Sequence, residues 1–153
     1  MRLVTVSVAL LLTACSGHSS STGSSASQAL QSTGDPAADL VHNFRMGRNL
    51  EDIANRTAAA THTYGMAGPV KVTAEIHRST PKYQAQWDAA LAKAYSAHLS
   101  QEELRSLSAQ GRSSPYVAKL QQVQGAVSDD MHTNATPIVE ALVSEALTNA
   151  MRN

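Results

Sequence analysis

Disulfide bonds are excluded within this chain of 153 residues, because it contains a single cysteine, Cys15. A domain with no internal bridge must be held by packing alone. Aromatic residues are scarce, with one Trp, one Phe and four Tyr, so a core must be built mainly from aliphatic side chains and Ala. Neither sign of charge is in excess: Lys plus Arg number 12 and Asp plus Glu number 12, and the two signs are mixed along the chain. A balanced chain has no field to gather nucleic acid, so no nucleic-acid partner is expected. The most apolar stretch, Leu3 to Leu12, falls well short of the roughly 20 residues that a membrane-spanning helix needs.

Other absences narrow the chemistry. There is no G-x-S-x-G elbow, no Walker A loop and no dinucleotide-binding glycine pattern. The six His, at 18, 42, 62, 77, 98 and 132, include no i, i+4 pair that would offer zinc two ligands from one helix face. His132 lies one turn after Asp129 and could make a weak metal pair, but reads better as a surface residue. Three adjacent acidic pairs, Glu51-Asp52, Glu102-Glu103 and Asp129-Asp130, are poor acid/base partners, since neighbours on a helix point about 100° apart. The first two suit the positive ends of helices. No catalytic residue, metal site or cofactor is expected, and the chain is not expected to be an enzyme.

What is present begins with an address. Arg2 supplies a positive start, Leu3 to Leu12 a short apolar run, and Leu12-Thr13-Ala14-Cys15 follows. This resembles the bacterial lipobox, in which an aliphatic and two small residues precede a Cys. The resemblance implies that residues 1–14 are a signal peptide cleaved between Ala14 and Cys15, and that Cys15 carries the lipid. A thiol suits alkylation far better than a hydroxyl would. Two or three acyl chains, at about 0.8 kcal/mol per buried methylene, hold a protein stably on a membrane. Ser16, where retention in the inner membrane calls for Asp, implies the outer membrane with the domain facing the periplasm.

Residues 15–34 read as a lipid-bearing Cys followed by a linker. Eight of the nineteen residues from 16 to 34 are Ser, a composition that cannot bury surface and is expected to be disordered. Such a leash averages roughly 25 Å end to end.

Residues 35–153 read as an all-α domain of five to seven short helices. Four oxygen-bearing residues precede Pro, at Asp35-Pro36, Thr80-Pro81, Ser114-Pro115 and Thr136-Pro137. Each fits a helix start, the first side chain capping free N–H groups and Pro presetting φ at the first position. Apolar residues recur at helical spacing after each Pro: Leu40, Val41 and Phe44; Tyr83, Trp87, Leu91 and Tyr95; Tyr116, Leu120, Val123, Val127 and Met131; Ile138, Leu142 and Val143. The Trp87 stripe reads as core rather than as a ligand-stacking surface. Ser100-Gln101-Glu102-Glu103 is a capping box, flanked by Leu99 and Leu104 as a hydrophobic staple and closed by Gly111. A further helix is predicted from Asn49 towards Tyr64, ending at Gly65. Residues 66–79 stay ambiguous. Val70, Val72, Ala74 and Ile76 alternate as a strand would, but no second segment offers a partner, so a short helix or irregular link is predicted.

The segment from Trp87 to Leu120 is similar to the DUF2059 family of secreted bacterial domains. The matching residues are Tyr95, His98, Leu99, Ser100, Glu102, Glu103, Leu104, Ser114, Pro115, Lys119 and Leu120. Gly111 and Arg112 stand where that family usually has two aromatics before Ser-Pro, and Val117 where it often has Gly. The resemblance implies a helical envelope domain and brings no catalytic residues. Together these readings predict a non-enzymatic envelope lipoprotein, bound to membrane lipid through Cys15, whose domain binds a periplasmic protein partner or supports envelope structure. The alternative is a tethered immunity or inhibitor protein directed against a periplasmic toxin or a lysozyme-like enzyme. No partner-binding residue can be named from the sequence.

Overall fold

The computed structural model describes residues 32–152. The signal segment 1–14, Ala14, Cys15 and nearly all of the linker lie outside the described residues.

Within them every regular element is helical, as the composition and periodicity predict. Helix α1 spans Pro36–Asn43 and α2 Leu50–Ala60, joined through a 3₁₀ turn at Met46–Asn49. The short α3, Thr63–Ala67, leads into α4, Pro69–His98. Then come α5, Gln101–Gln110, a 3₁₀ turn at Gly111–Ser113, α6, Val117–Gln122, and α7, Gln124–Arg152. Two of the seven, at 30 and 29 residues, are long.

Three boundaries follow the expected capping chemistry. Asp35 accepts a hydrogen bond from the Ala37 amide at 2.9 Å, with Pro36 at the first helical position. The Ser100 amide donates to Glu103 Oε2 at 2.7 Å and the Glu103 amide donates to Ser100 Oγ at 3.3 Å, completing the box. Gly111 ends α5 at φ +58, ψ −129, outside the left-handed helical region and in backbone space open to a residue without a Cβ.

Other expected boundaries need correction. Thr80-Pro81 and Thr136-Pro137 do not start helices; Pro81 lies inside α4 and Pro137 inside α7. An interior Pro removes one i to i−4 bond and costs about 3 kcal/mol. Here both prolines are solvent-exposed, so the orphaned carbonyls, those of His77 and Thr133, face water. Burial on the opposite face outweighs the loss. Val127, Met131, Ala135, Val139, Leu142, Val143, Ala146 and Ala150 form one unbroken buried stripe along α7, and each large member contributes about 1.5–3 kcal/mol. Ser114-Pro115 makes a turn in which Ser114 Oγ accepts from the Tyr116 amide at 3.2 Å, and α6 begins two residues later. The ambiguous stretch 66–79 is largely the first third of α4. Val72 and Ile76 are fully buried while Val70 is exposed, a spacing of four that the period-two reading obscured. The true start is Gly68-Pro69, with Gly68 at φ +87. Helix α2 stops at Ala60 rather than running to Tyr64, because His62 turns the chain at φ +59.

Helices α4 and α7 pair antiparallel along most of their length. Lys82 Nζ donates to Glu145 Oε2 at 2.6 Å near one end and His98 Nε2 meets Asp130 Oδ2 at 2.9 Å near the other. Helix α1 packs on α4 and α5, and α2 lies across both long helices. The core they share is built around the fully buried Leu40, Leu50, Val72, Ile76, Leu104, Leu107 and Leu142. The 3₁₀ turn before α2 is fastened to α4 by Gln84, whose Nε2 donates to the Gly47 carbonyl at 2.9 Å.

Candidate functional site

The residues quoted for the family resemblance come together, but as a fastening. Glu103 Oε2 closes the capping box while Oε1 accepts from Lys119 Nζ at 2.6 Å, joining α5 to α6. The Lys119 ammonium, and then the Ser100 amide, hold the Glu103 carboxyl below its ordinary range. Tyr116 OH donates to Glu102 Oε1 at 3.1 Å, and Ser106 Oγ meets Ser114 Oγ at 2.8 Å. The acidic pairs thus have local tasks. Glu51 meets His77 Nδ1 at 3.1 Å, and Asp130, unexplained by sequence, pairs with His98. His132 and Asp129 form no such pair, and among the described residues no group of three His, Cys, Asp or Glu could hold a metal ion.

A concave feature among the described residues lies elsewhere, where α2 and the turn before it meet the seam of α4 and α7. It is a groove of about 670 Å³. Helix α4 contributes Trp87, Leu91 and Tyr95, one residue per turn. Met46, Asn49, Ile53 and Thr57 form the α2 side. Helix α7 contributes two parallel rows. Val127, Met131, Ala135 and Val139 are buried in the floor, and Gln124, Ser128, His132, Thr136 and Glu140 are exposed along one edge. Both rows repeat every four residues, so each runs along α7 while winding about 40° round it per step. The groove is therefore elongated, about 24 Å from Gln124 to Glu140 at 1.5 Å per residue.

The two ends differ. At one, Gln124 Nε2 donates to Tyr95 OH at 3.0 Å; burial pushes the Tyr95 phenol up while this bond works against the shift. At the other, the register that sets Lys82 beside Glu145 and His98 beside Asp130 places Trp87 level with Glu140. Trp87 is 5% exposed, and its Nε1 is buried with no hydrogen-bond partner among the described residues. Among the described residues that line the groove, Glu140 is the one formally charged group and none is Lys or Arg.

The stripe Trp87, Leu91 and Tyr95 is buried as a core stripe should be, and its outer edges are also a wall. The floor and edge on α7 escaped the sequence reading for one reason. Taking Thr136-Pro137 as a helix start cut both rows in two, leaving Val139 and Glu140 on a different element from Val127 and Gln124.

Chemically the groove offers an apolar bed, hydroxyl and amide groups along its edge, and a single carboxylate. His132 and Glu140 are eight residues apart on one helix, about 12 Å, too far to pass a proton directly. No family model, curated protein or solved structure matches this chain. Among the described residues no helix is long and apolar enough to cross a membrane.

Proposed function

We propose that this protein is a lipoprotein of the bacterial envelope, anchored through Cys15 in the outer membrane, and that its helical domain acts by binding rather than by catalysis. The observation that carries the binding half is the groove: an elongated apolar bed with a polar edge, whose His132 and Glu140 stand too far apart to work as an acid/base pair. A periplasmic protein partner would cover the exposed edge of α7. The lipobox order Leu12-Thr13-Ala14-Cys15 supports the anchor half.

The two halves are tested separately. Cys15→Ser is expected to move the protein from the membrane fraction to the soluble fraction of its host. Finding the unaltered protein soluble and unlipidated would sink the anchor. For the groove, Ser128→Arg with Thr136→Arg on the exposed edge is expected to abolish retention of whatever the lipidated protein holds in envelope extracts, with helix content unchanged by circular dichroism. Unchanged retention would remove the groove from the account.

A further inference from the structure

We propose that one end of the bundle, formed by α3, the start of α4 and the end of α7, docks on the surface of an anionic phospholipid bilayer. Met66, Val70 and Met151 enter the interface, and Lys71 and Arg152 meet the phosphates. This rests neither on the groove nor on the lipidation of Cys15.

Placement is the first argument. Helices α4 and α7 run antiparallel with Lys82 beside Glu145, so the residues after Glu145 lie beside the first turns of α4. At equal rise Met151 falls level with Ile76, and Val70 stands about 9 Å further along. Helix α3 packs on both long helices. Tyr64 OH fastens it there, donating to Asn55 Oδ1 at 2.9 Å and lying 3.3 Å from Thr73 Oγ1. Met66 at 63%, Val70 at 82% and Met151 at 62% are the exposed large apolar side chains among the described residues. Two distant segments of the chain thus bring all three to the same end. None of them lines the groove.

Charge is the second argument. The chain is neutral as a whole, but this end is not. No Asp or Glu occurs from Ile53 to Ala74 or from Ala146 to Arg152. The nearest carboxylates are engaged: Glu75 is buried against Arg78, Glu51 meets His77, and Glu145 holds Lys82. Lys71 and Arg152 are exposed and make no ion pair among the described residues. Arg56 is turned back along α2, its Nε donating to the Asp52 carbonyl at 3.3 Å. Unopposed cations beside projecting apolar side chains suit a surface that is anionic outside and apolar beneath.

Area and charge together choose the occupant. At roughly 60–120 Å² for a fully exposed side chain of this kind, the three offer about 120–250 Å² at their observed exposures. A standard protein interface buries about 800 Å² per partner, over half of it apolar. A second copy would also set Lys71 and Arg152 against their own equivalents. A fluid bilayer needs no matching surface, and a few side chains suffice when the domain is already held nearby. Residues 15 to 32 reach at most about 60 Å, more than the roughly 45 Å length of α4, so an anchor at Cys15 would let this end meet the same membrane.

The test uses the chain from residue 15 with Cys15→Ser, which carries neither acyl group nor signal segment and keeps every core residue. Flotation compares vesicles of phosphatidylglycerol and phosphatidylcholine in equal parts with vesicles of phosphatidylcholine alone. Binding to the anionic vesicles is expected, weakening as salt rises. Lys71→Gln with Arg152→Gln should weaken it about twenty-fivefold, or about fivefold per cation. Met66→Ser, Val70→Ser and Met151→Ser together should weaken it by about tenfold or more. Lys93→Gln with Arg105→Gln, which removes equal charge from exposed positions elsewhere, should leave it nearly unchanged. Circular dichroism should show the parent's helix content in every variant, since each substitution is at an exposed position.

No binding to anionic vesicles, or equal binding by the parent and both end variants, would overturn the proposal. An equal loss in the Lys93 and Arg105 pair would do the same, by making net charge the cause. A dimer in solution abolished by the serine substitutions would assign this end to a second copy. Retention of an acidic protein without lipid, lost in the glutamine pair, would assign it to a protein partner.

Discussion

At the scale of single residues, small side chains decide where the groove can exist. Gly47 sits in the 3₁₀ turn pressed against α4, and a Cβ built there would lie 1.8 Å from Asp88 Oδ1 and 2.8 Å from Gln84 Nε2. Those two side chains are already engaged, with Gln84 Nε2 donating to Asp88 Oδ1 at 2.8 Å and to the Gly47 carbonyl. Gly47→Ala must displace both, losing two hydrogen bonds worth about 0.5–1.5 kcal/mol each. It regains some of that from the stiffer unfolded chain. The net expectation is a loss of about 1–2 kcal/mol in urea denaturation. Adding Asp88→Ala should restore part of it by making room. No feature of the sequence marks Gly47 as crowded, because the crowding comes from α4, which lies far along the chain.

At the scale of elements, the lesson concerns proline. Five prolines were available as punctuation, and those at 36 and 69 open helices. The capping oxygen that made Thr80-Pro81 and Thr136-Pro137 look like starts does something else inside a helix. Thr80 Oγ1 donates back to the Ile76 carbonyl at 2.8 Å, and Thr136 Oγ1 does the same to that of His132. A hydroxyl before Pro is compatible with both roles, and local chemistry cannot choose between them. What chooses is the buried stripe on the far face, which becomes visible only once α4 and α7 are laid side by side. Caps with two reciprocal bonds, as at Ser100, were legible because nothing distant competes with them. Pro137→Ala should restore one backbone bond and improve helix propensity, by about 3 kcal/mol together. Greater freedom of the unfolded chain offsets about 1 kcal/mol. A net stabilisation of about 1–2 kcal/mol by chemical denaturation is expected. Destabilisation would instead mean that the seam depends on the proline ring itself.

At the scale of the whole molecule, ion pairs staple elements far apart in sequence and make stability depend on acidity. Glu145 accepts from Lys82 and from Tyr83 OH, at 2.6 and 2.7 Å, tying the two long helices, while Glu103 and Lys119 tie α5 to α6. Lys82 and then Tyr83 hold the Glu145 carboxyl below its ordinary range, as Lys119 does for Glu103. A carboxyl whose pKa is lower folded than unfolded adds stability that is fully present above its unfolded value, about 4.3. That stability is lost as pH falls from there through the folded value. The Tm should therefore drop as the protein is acidified below about pH 5. Lys119→Met combined with Lys82→Met should flatten that acid limb by removing the largest cause at each carboxyl. An equally steep limb in the double variant would place the acid sensitivity elsewhere. The all-helical class and the starts of α1, α2 and α5 were legible in the sequence because they are local. The groove was not, because it is made by the register of α4 on α7 and by α2 crossing them.

Ser32 and Thr33 count as linker by composition, yet Asp39 holds both. Its carboxylate accepts from the Thr33 amide at 2.6 Å and from Ser32 Oγ at 3.1 Å. Burial alone would raise the Asp39 pKa, but these bonds from Thr33 and Ser32 bring it below the ordinary range. A tug arriving through the preceding chain is met by this knot on the first turn of α1 before it can reach Leu40 and the core. On the proposed anchoring, a pull would strain these two hydrogen bonds, which re-form readily, before the packing around Leu40, which does not.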